Sequence, residues 1–291
     1  VNFFKIGLLA LVVGTLVGCQ TIRDFWPSSP TSELEKRAER GDAVSQYRLG
    51  LRYTNGRGVE QDYSAATRWL IRAADQGHMD AQYLAGVNYA SGRGVEVNHL
   101  RAASFFEKAA AQGHVRSYYQ LGEAYANGRG VPKDLPWAAR WYEKAAERGH
   151  PGAMLSFGVF RASGMGVSKD SASAWTWLEL AAQQNEAQAA ELRDRIARSL
   201  TTSELNRGRR QASAWRVTQN EVFADRPTVR YVQRSLNRLG FRAGPEDGVL
   251  GFSTRHAIQS LQRAARQNAD GRVSPTLVDT LRFATARLPE S

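Results

Sequence analysis

The chain has one cysteine in 291 residues, so no disulfide can form within it and no multi-cysteine zinc or iron–sulfur site can be assembled. Five scattered histidines leave little for a histidine-based metal centre. Lysine is missing from the last third: residues 186–291 carry 18 arginines against 11 acids, which supplies +7 of a formal net charge of +11. An all-arginine excess suits anionic surfaces in general, among them lipid headgroups, nucleic acid and acidic wall polymer, and does not choose among them. Long apolar runs are scarce too. The one near the start, Ile6 to Val17, is shorter than the roughly 20 residues a helix needs to cross a bilayer. A hydrophobic fraction of 42% excludes wholesale disorder, and the length fits two domains or a repeat array with one domain. Stability has to come from packing.

Lys5, the apolar run, and then Gly18 and Cys19 make a positive region, an apolar core and a small-residue site, the pattern of an export signal. Leu16-Val17-Gly18-Cys19 resembles the lipobox of bacterial lipoproteins. That resemblance implies a signal peptide over 1–18, lipidation of Cys19, and a tether over 19–31; the alternative is an ordinary secretory signal followed by an unrelated cysteine. More than one acyl chain makes such anchoring stable, because each buried CH₂ contributes about 0.8 kcal/mol. Gln20, standing where an Asp would retain an enterobacterial lipoprotein at the inner membrane, implies the periplasmic face of the outer membrane.

One period organises half the chain. Gly56-Arg57-Gly58-Val59 recurs every 36 residues as Gly92-Arg93-Gly94-Val95, Gly128-Arg129-Gly130-Val131 and Gly164-Met165-Gly166-Val167. Alanine pairs (Ala73-Ala74, Ala109-Ala110, Ala145-Ala146, Ala181-Ala182) and a bulky series (Trp69, Phe105, Trp141, Trp177) keep the same spacing. Within a unit, Tyr47, Leu49, Gly50 and Tyr53 lie on a helical spacing, the glycine loop stops that helix, and a second helix runs from about Tyr63 to Gln76. Asp62, Asn98, Asp134 and Asp170 fall just before each second helix, where a short oxygen-bearing side chain caps free N–H groups. Helix pairs at this period stack into a right-handed solenoid in which each unit buries its apolar stripe against its neighbours.

Tetratricopeptide repeats have about 34 residues. The longer period, the Gly-x-Gly-Val loop and the Ala-Ala-x-x-Gly-His ending resemble Sel1-like repeats over about residues 42–185, which implies an all-α, αα-superhelical fold. Arg161 departs from the series Tyr53, Tyr89, Tyr125, and Asn185 replaces the inter-repeat glycine, both at the end of the array. Half a repeat from Ser32 to Arg40 closes the front and a helix from Glu186 to Ser199 closes the back, giving an array over 32–200. His78, His114 and His150 invite reading as a metal ladder. They belong to successive stacked units, and a zinc ion needs ligands converging within about 2.1 Å, so their role is structural. The Trp and Tyr series read as core, with a partner groove as the alternative. The Gly-Arg-Gly loops lack the Gly-Lys-Ser/Thr ending of a phosphate-binding loop.

Residues 201–226 read as an Arg-rich helical connector with a solvated face, Arg207, Arg209 and Arg210 clustering on it. Beyond it, Val229, Val232, Leu236 and Leu239 share one helical face that halts at Gly240; Ala257, Ile258 and Leu261 share a second; a third starts at Ser274-Pro275 and continues through Leu277 and Leu281. The series Val232-Gln233-x-x-Leu236-x-x-Leu239-Gly240-Phe241, then Gly244-x-x-Asp247-Gly248-x-x-Gly251-x-x-Thr254-x-x-Ala257-Ile258-x-x-Leu261-Gln262 and Asp270-Gly271-x-Val273, resembles the three-helix peptidoglycan-binding domain family over 227–286. Leu261 stands where the family usually has an aromatic, and Ser274 where it often has Gly. The resemblance implies a shallow groove for the stem peptide and adjoining sugar, formed here by Phe241, Arg242, Asp247, Phe252, Ser253, Thr254 and Arg255. His256 has no second His or Cys nearby with which to ligate a metal.

These readings together point to an outer-membrane lipoprotein that binds peptidoglycan with its small domain and envelope proteins with its repeats. No cofactor and no nucleic acid enter it. A wall hydrolase would need clustered His and carboxylates, a free nucleophilic thiol or a carboxylate pair in a cleft, and no stretch of sequence is left over for such a domain. A subunit of a polysaccharide-secretion or envelope-assembly complex uses the same array and differs only in its partner.

Overall fold

The structure, a computed structural model, describes residues 30–216 and 226–288, which contain fourteen helices and no strand. Cys19 and the segments 1–18 and 19–29 lie outside the described residues. After α1 (Pro30–Glu39) come four helix pairs: α2 (Ala43–Asn55) with α3 (Tyr63–Asp75), α4 (Met79–Ser91) with α5 (His99–Ala111), α6 (Val115–Asn127) with α7 (Leu135–Glu147), and α8 (Pro151–Ser163) with α9 (Ser171–Gln183). The expected αα-superhelix is present.

The two glycines of each loop do different work. Gly92 sits at φ +73° and its N–H donates to the Asn88 carbonyl, closing α4 in a left-handed conformation that a side chain strains. Gly94, two residues on, lies against the first turn of α3 in the preceding repeat, where a Cβ would collide with the Tyr63 carbonyl. The loop therefore ends one repeat and seats it on the previous one. Val95, Val131 and Val167 then pack on the core.

All four expected caps form: Asp62, Asn98, Asp134 and Asp170 accept backbone N–H bonds at the starts of α3, α5, α7 and α9. The histidine series caps the other helix of each pair. His78, His114 and His150 Nδ1 accept from the N–H groups of Ala81, Ser117 and Ala153 at 3.3, 3.2 and 3.1 Å. Each ring also lies against a tyrosine of the preceding repeat, Tyr47, Tyr83 and Tyr119, with centroids 4.3, 4.4 and 4.6 Å apart. Only a neutral imidazole can accept at Nδ1 while donating elsewhere, and burial holds the pKa of His114 and His150 below the ordinary histidine value. The buried Gln82 links two units, its Nε2 donating to the Ala74 carbonyl of the repeat before at 3.1 Å, while its Oε1 accepts from Nε2 of the exposed Gln112 at 2.7 Å within its own repeat.

The back of the array is longer than expected. α10 (Ala189–Ala197) packs on α9, and α11 (Thr202–Ala214), inside the segment read as a connector, also lies on α9. Thr201 and Glu204 form a reciprocal capping box at its start. Gly208 allows the contact, since a Cβ there would stand 2.9 Å from Trp175 Cε3, and its carbonyl accepts from Thr176 Oγ1 at 3.2 Å.

The last three helices, α12 (Arg226–Arg238), α13 (Phe252–Ala264) and α14 (Pro275–Thr285), bury Val229, Val232, Leu236, Ile258, Leu261, Leu277 and Leu281 between them. This small module rests on the third repeat. Tyr231 of α12 meets Trp137 of α7 edge-on at 4.5 Å, and the buried Arg140 donates to Thr228 Oγ1 at 3.0 and 2.8 Å. Arg230 pairs with Glu143, Arg282 covers the Tyr125 ring at 4.7 Å, and Arg234 donates to Ser168 Oγ at 2.8 Å. Arg161, the departure from the tyrosine series, pairs with Asp170 at 3.2 Å beside this contact.

Candidate functional site

The module's loops hang on two buried glutamines. Gln233 on α12 donates through Nε2 to Asp247 Oδ1 at 2.8 Å and to the Val249 carbonyl at 3.1 Å, while its Oε1 accepts from the Gly248 N–H at 2.9 Å. Gln262 on α13 repeats the arrangement, donating to Asp270 Oδ1 at 2.9 Å and accepting from the Gly271 N–H at 3.0 Å. Each Asp-Gly turn is thus clamped by a side-chain amide that copies a backbone strand, and the Asp also accepts the N–H two residues on, from Val249 or Arg272. Those bonds, the Arg272 N–H first among them, hold the Asp270 pKa below the ordinary carboxylate value.

This scaffold separates the seven groove residues into two groups. Thr254 is buried, its hydroxyl donating to the Ala243 carbonyl at 2.9 Å and accepting from Gln233 Nε2 at 3.2 Å, so it holds the loop and cannot reach a ligand. Phe241 packs half-buried on the module core, and Asp247 spends one oxygen on the clamp. Arg242, Phe252, Ser253 and Arg255 face solvent. Phe252 is 87% exposed, an unusual setting for a phenylalanine, and its ring lies parallel to that of His256 at 6.2 Å. Val249, 56% exposed, belongs to the same loop, and no spacing argument singles it out. Gly251 offers α13 no side-chain cap, so its first-turn N–H groups are without a side-chain acceptor at the helix end that favours anions. The rim offers an apolar ring, two guanidiniums and a helix N-terminus, which suits a ligand with carboxylates and an apolar face.

Catalytic chemistry has no assembled kit among the described residues. No group of three or more His, Cys, Asp or Glu comes together there to hold a metal, and no helix is long and apolar enough to cross a membrane. The strongly shifted groups are tyrosines inside the packing: burial raises Tyr125 to about 12 and raises Tyr142 and Tyr231 as well.

The Sel1 repeat family model matches residues 43–78, 80–114, 115–150 and 153–186, and the putative peptidoglycan binding domain model matches residues 225–281. The chain carries four Sel1 repeats and a peptidoglycan-binding domain. A Sel1 repeat protein from Oxalobacter formigenes is 35% identical, with a TM-score of 0.52 over 59% of this chain and 51% of its own. A protective antigen of uropathogenic Escherichia coli strains, displaying an SLR fold, is 24% identical with a TM-score of 0.56 over 89% of this chain and 56% of its own, a likeness of fold alone. The chain thus spans about half the length of each solved structure. No curated protein matches it. The Sel1 boundaries fall where the caps fall: the first match ends at His78, the residue that starts the next helix pair. Sequence spacing reached the repeats and the clamped loops but not the residues that join the Sel1 array to the wall domain. Trp137 carried a signal, since Ala65, Arg101 and Ser173 occupy its phase in the other repeats.

Proposed function

We propose that the protein is an envelope lipoprotein, acylated at Cys19 and held on the periplasmic face of the outer membrane, that grips peptidoglycan through the rim of its small domain and binds envelope proteins through its Sel1 array. It acts by binding and not by catalysis. The observation that carries this reading is the solvent-facing Phe252 with the exposed Arg255 on the first turn of α13 and the exposed Arg242 on the segment that Thr254 ties to that turn, next to a loop that Gln233 already clamps. A rim so built is rigid before the ligand arrives, which lowers the ordering cost of binding. Its shallowness limits monovalent affinity to the millimolar to micromolar range, about −4 to −8 kcal/mol. Tethering to the membrane offsets that weakness by raising the local concentration of the rim at the wall.

Titration of the isotopically labelled full chain with soluble muropeptides tests the wall reading. Amide shifts should cluster at Val249, Phe252, Ser253, Arg255 and His256; shifts confined to the arginines of α10 and α11 would contradict it. Mass spectrometry of the mature N-terminus should show an acylated Cys19, and an unmodified cysteine would remove the anchor. Sacculi incubated with purified protein should release no soluble muropeptides; release that survives repurification would overturn the non-catalytic reading.

A further inference from the structure

At the back of the Sel1 array, α9, α11 and the turn between α7 and α8 enclose a cleft of about 780 Å³. Arg148, Arg209 and Arg216 line it together with Trp175, Leu180 and Trp215. Among the described residues that line it the one acid, Glu179, is engaged by Arg193 at 2.8 Å and by Gln183 Nε2 at 2.8 Å. Among the described residues Arg216 donates to the carbonyls of Ser213 and Trp215 and has no ion pair. Arg209 is exposed and has neither an ion pair nor a hydrogen bond among the described residues. The cleft is therefore lined by both cationic and aromatic side chains.

We propose that this cleft is the seat of the array's protein partner and that its occupant is an acidic segment carrying a bulky apolar residue. The proposal rests on reading the array as a protein-binding element, and it adds the place and the chemistry. Volume supports it, since the cleft lies in the range of sites that seat a compact group and is open to solvent as a docking surface has to be. Residue type supports it as well, because Trp and Arg dominate the energetic centres of protein interfaces. A bare polyanion would satisfy the guanidiniums and leave Trp215 unused. A segment with carboxylates on either side of an apolar side chain uses both. The cleft at the front of the array, about 770 Å³, lacks this pairing, being lined by arginines with Leu34 and Leu51 and no aromatic ring.

Three labelled probes test the proposal by fluorescence anisotropy with the full chain: an acidic peptide with a central Leu-Trp pair, a polyglutamate of equal charge, and the Leu-Trp peptide with lysines in place of its acids. The acidic Leu-Trp peptide should bind about tenfold or more tighter than either control, and its affinity should fall with salt. Arg209→Glu with Arg216→Glu should lower that affinity about tenfold or more, and Trp215→Ala by a smaller factor. All three positions lie at the end of the array, so unchanged helicity checks that the fold is kept. Equal binding of polyglutamate, an unchanged affinity in the double variant, displacement of the peptide by soluble muropeptides, or no binding up to millimolar probe each overturns the proposal. Crosslinking in intact envelopes separates this outcome from the broader one. A partner held equally by wild type and double variant removes the cleft and keeps the array as a binding element, whereas no array-dependent partner at all removes both.

Discussion

In the array the turns are braced against the neighbouring repeat: Gly94 closes on the first turn of α3, and the His114 ring lies against Tyr83 while capping its own helix. In the small domain both turns are satisfied from within, by Gln233 and Gln262. The first scheme spreads stability over many nearest-neighbour contacts, so damage stays local; the second concentrates it in two side chains. It also sets function. Loops clamped from inside keep their outer faces free for a ligand, whereas array loops are consumed by stacking, which leaves the ends and the exposed helix faces to meet partners. The third repeat joins the two schemes, because α12 rests on α7 through Trp137, Arg140 and Glu143.

The comparison breaks most severely at that joint. Trp137→Ala removes a buried ring that touches Tyr231, Tyr125 and Trp141, a loss of about 3–5 kcal/mol for a large buried aromatic. Hydrogen exchange should then show the wall domain opening independently of the array; a single shared opening in the variant would mean that the two were never coupled through this ring. Gln233→Leu comes next. It strips the Gly248 N–H of its Gln233 acceptor and removes one of the bonds to Asp247, and should destabilise the domain by about 2–3 kcal/mol while the array keeps its own melting temperature, both read by domain-resolved exchange.

Acid tests the array side of the contrast. His114 and His150 ionise less readily in the fold than in the unfolded chain, so below the ordinary histidine pKa of about 6.5 the unfolded chain takes up more protons. The stability these caps supply is present above that pH and is lost as pH falls through it towards the depressed folded values. With each cap contributing about 1 kcal/mol, the array's Tm should drop by about 2–4 °C per cap lost between pH 7 and pH 5. His114→Asn with His150→Asn, which cap without ionising, should flatten the profile; an unchanged slope would show that the imidazoles do not carry it. The smallest effect on stability belongs to the rim: Phe252→Ala should shift unfolding by less than about 0.5 kcal/mol, since the ring packs on little besides His256.

How far the sequence could be read follows from the same contrast. Repetition printed the array's architecture four times over, down to the capping Asp or Asn and the glycine stops. The histidine caps escaped because imidazole is not among the usual N-cap residues, and their role depends on a protonation state that burial sets. α11 escaped as an array element because its buried residue is Gly208, which has no side chain to contribute to an apolar periodicity. In the small domain the motif residues were legible as a set, but the motif does not distinguish Thr254, turned inward, from Phe252, turned outward. The contact between Arg140 and Thr228 joins positions 88 residues apart, which local spacing cannot connect.

On the proposed reading a built rim, and not the arginine excess, holds the wall. Sedimentation of the full chain with purified sacculi decides it, at low salt and at about 1 M, where the Debye length is about 3 Å and long-range attraction fades. Wild type should keep part of its binding at high salt, and Phe252→Ala with Arg255→Ala should reduce sedimentation at both. Binding that vanishes at high salt, and that the double variant leaves intact at low salt, would make the domain a basic surface with no groove.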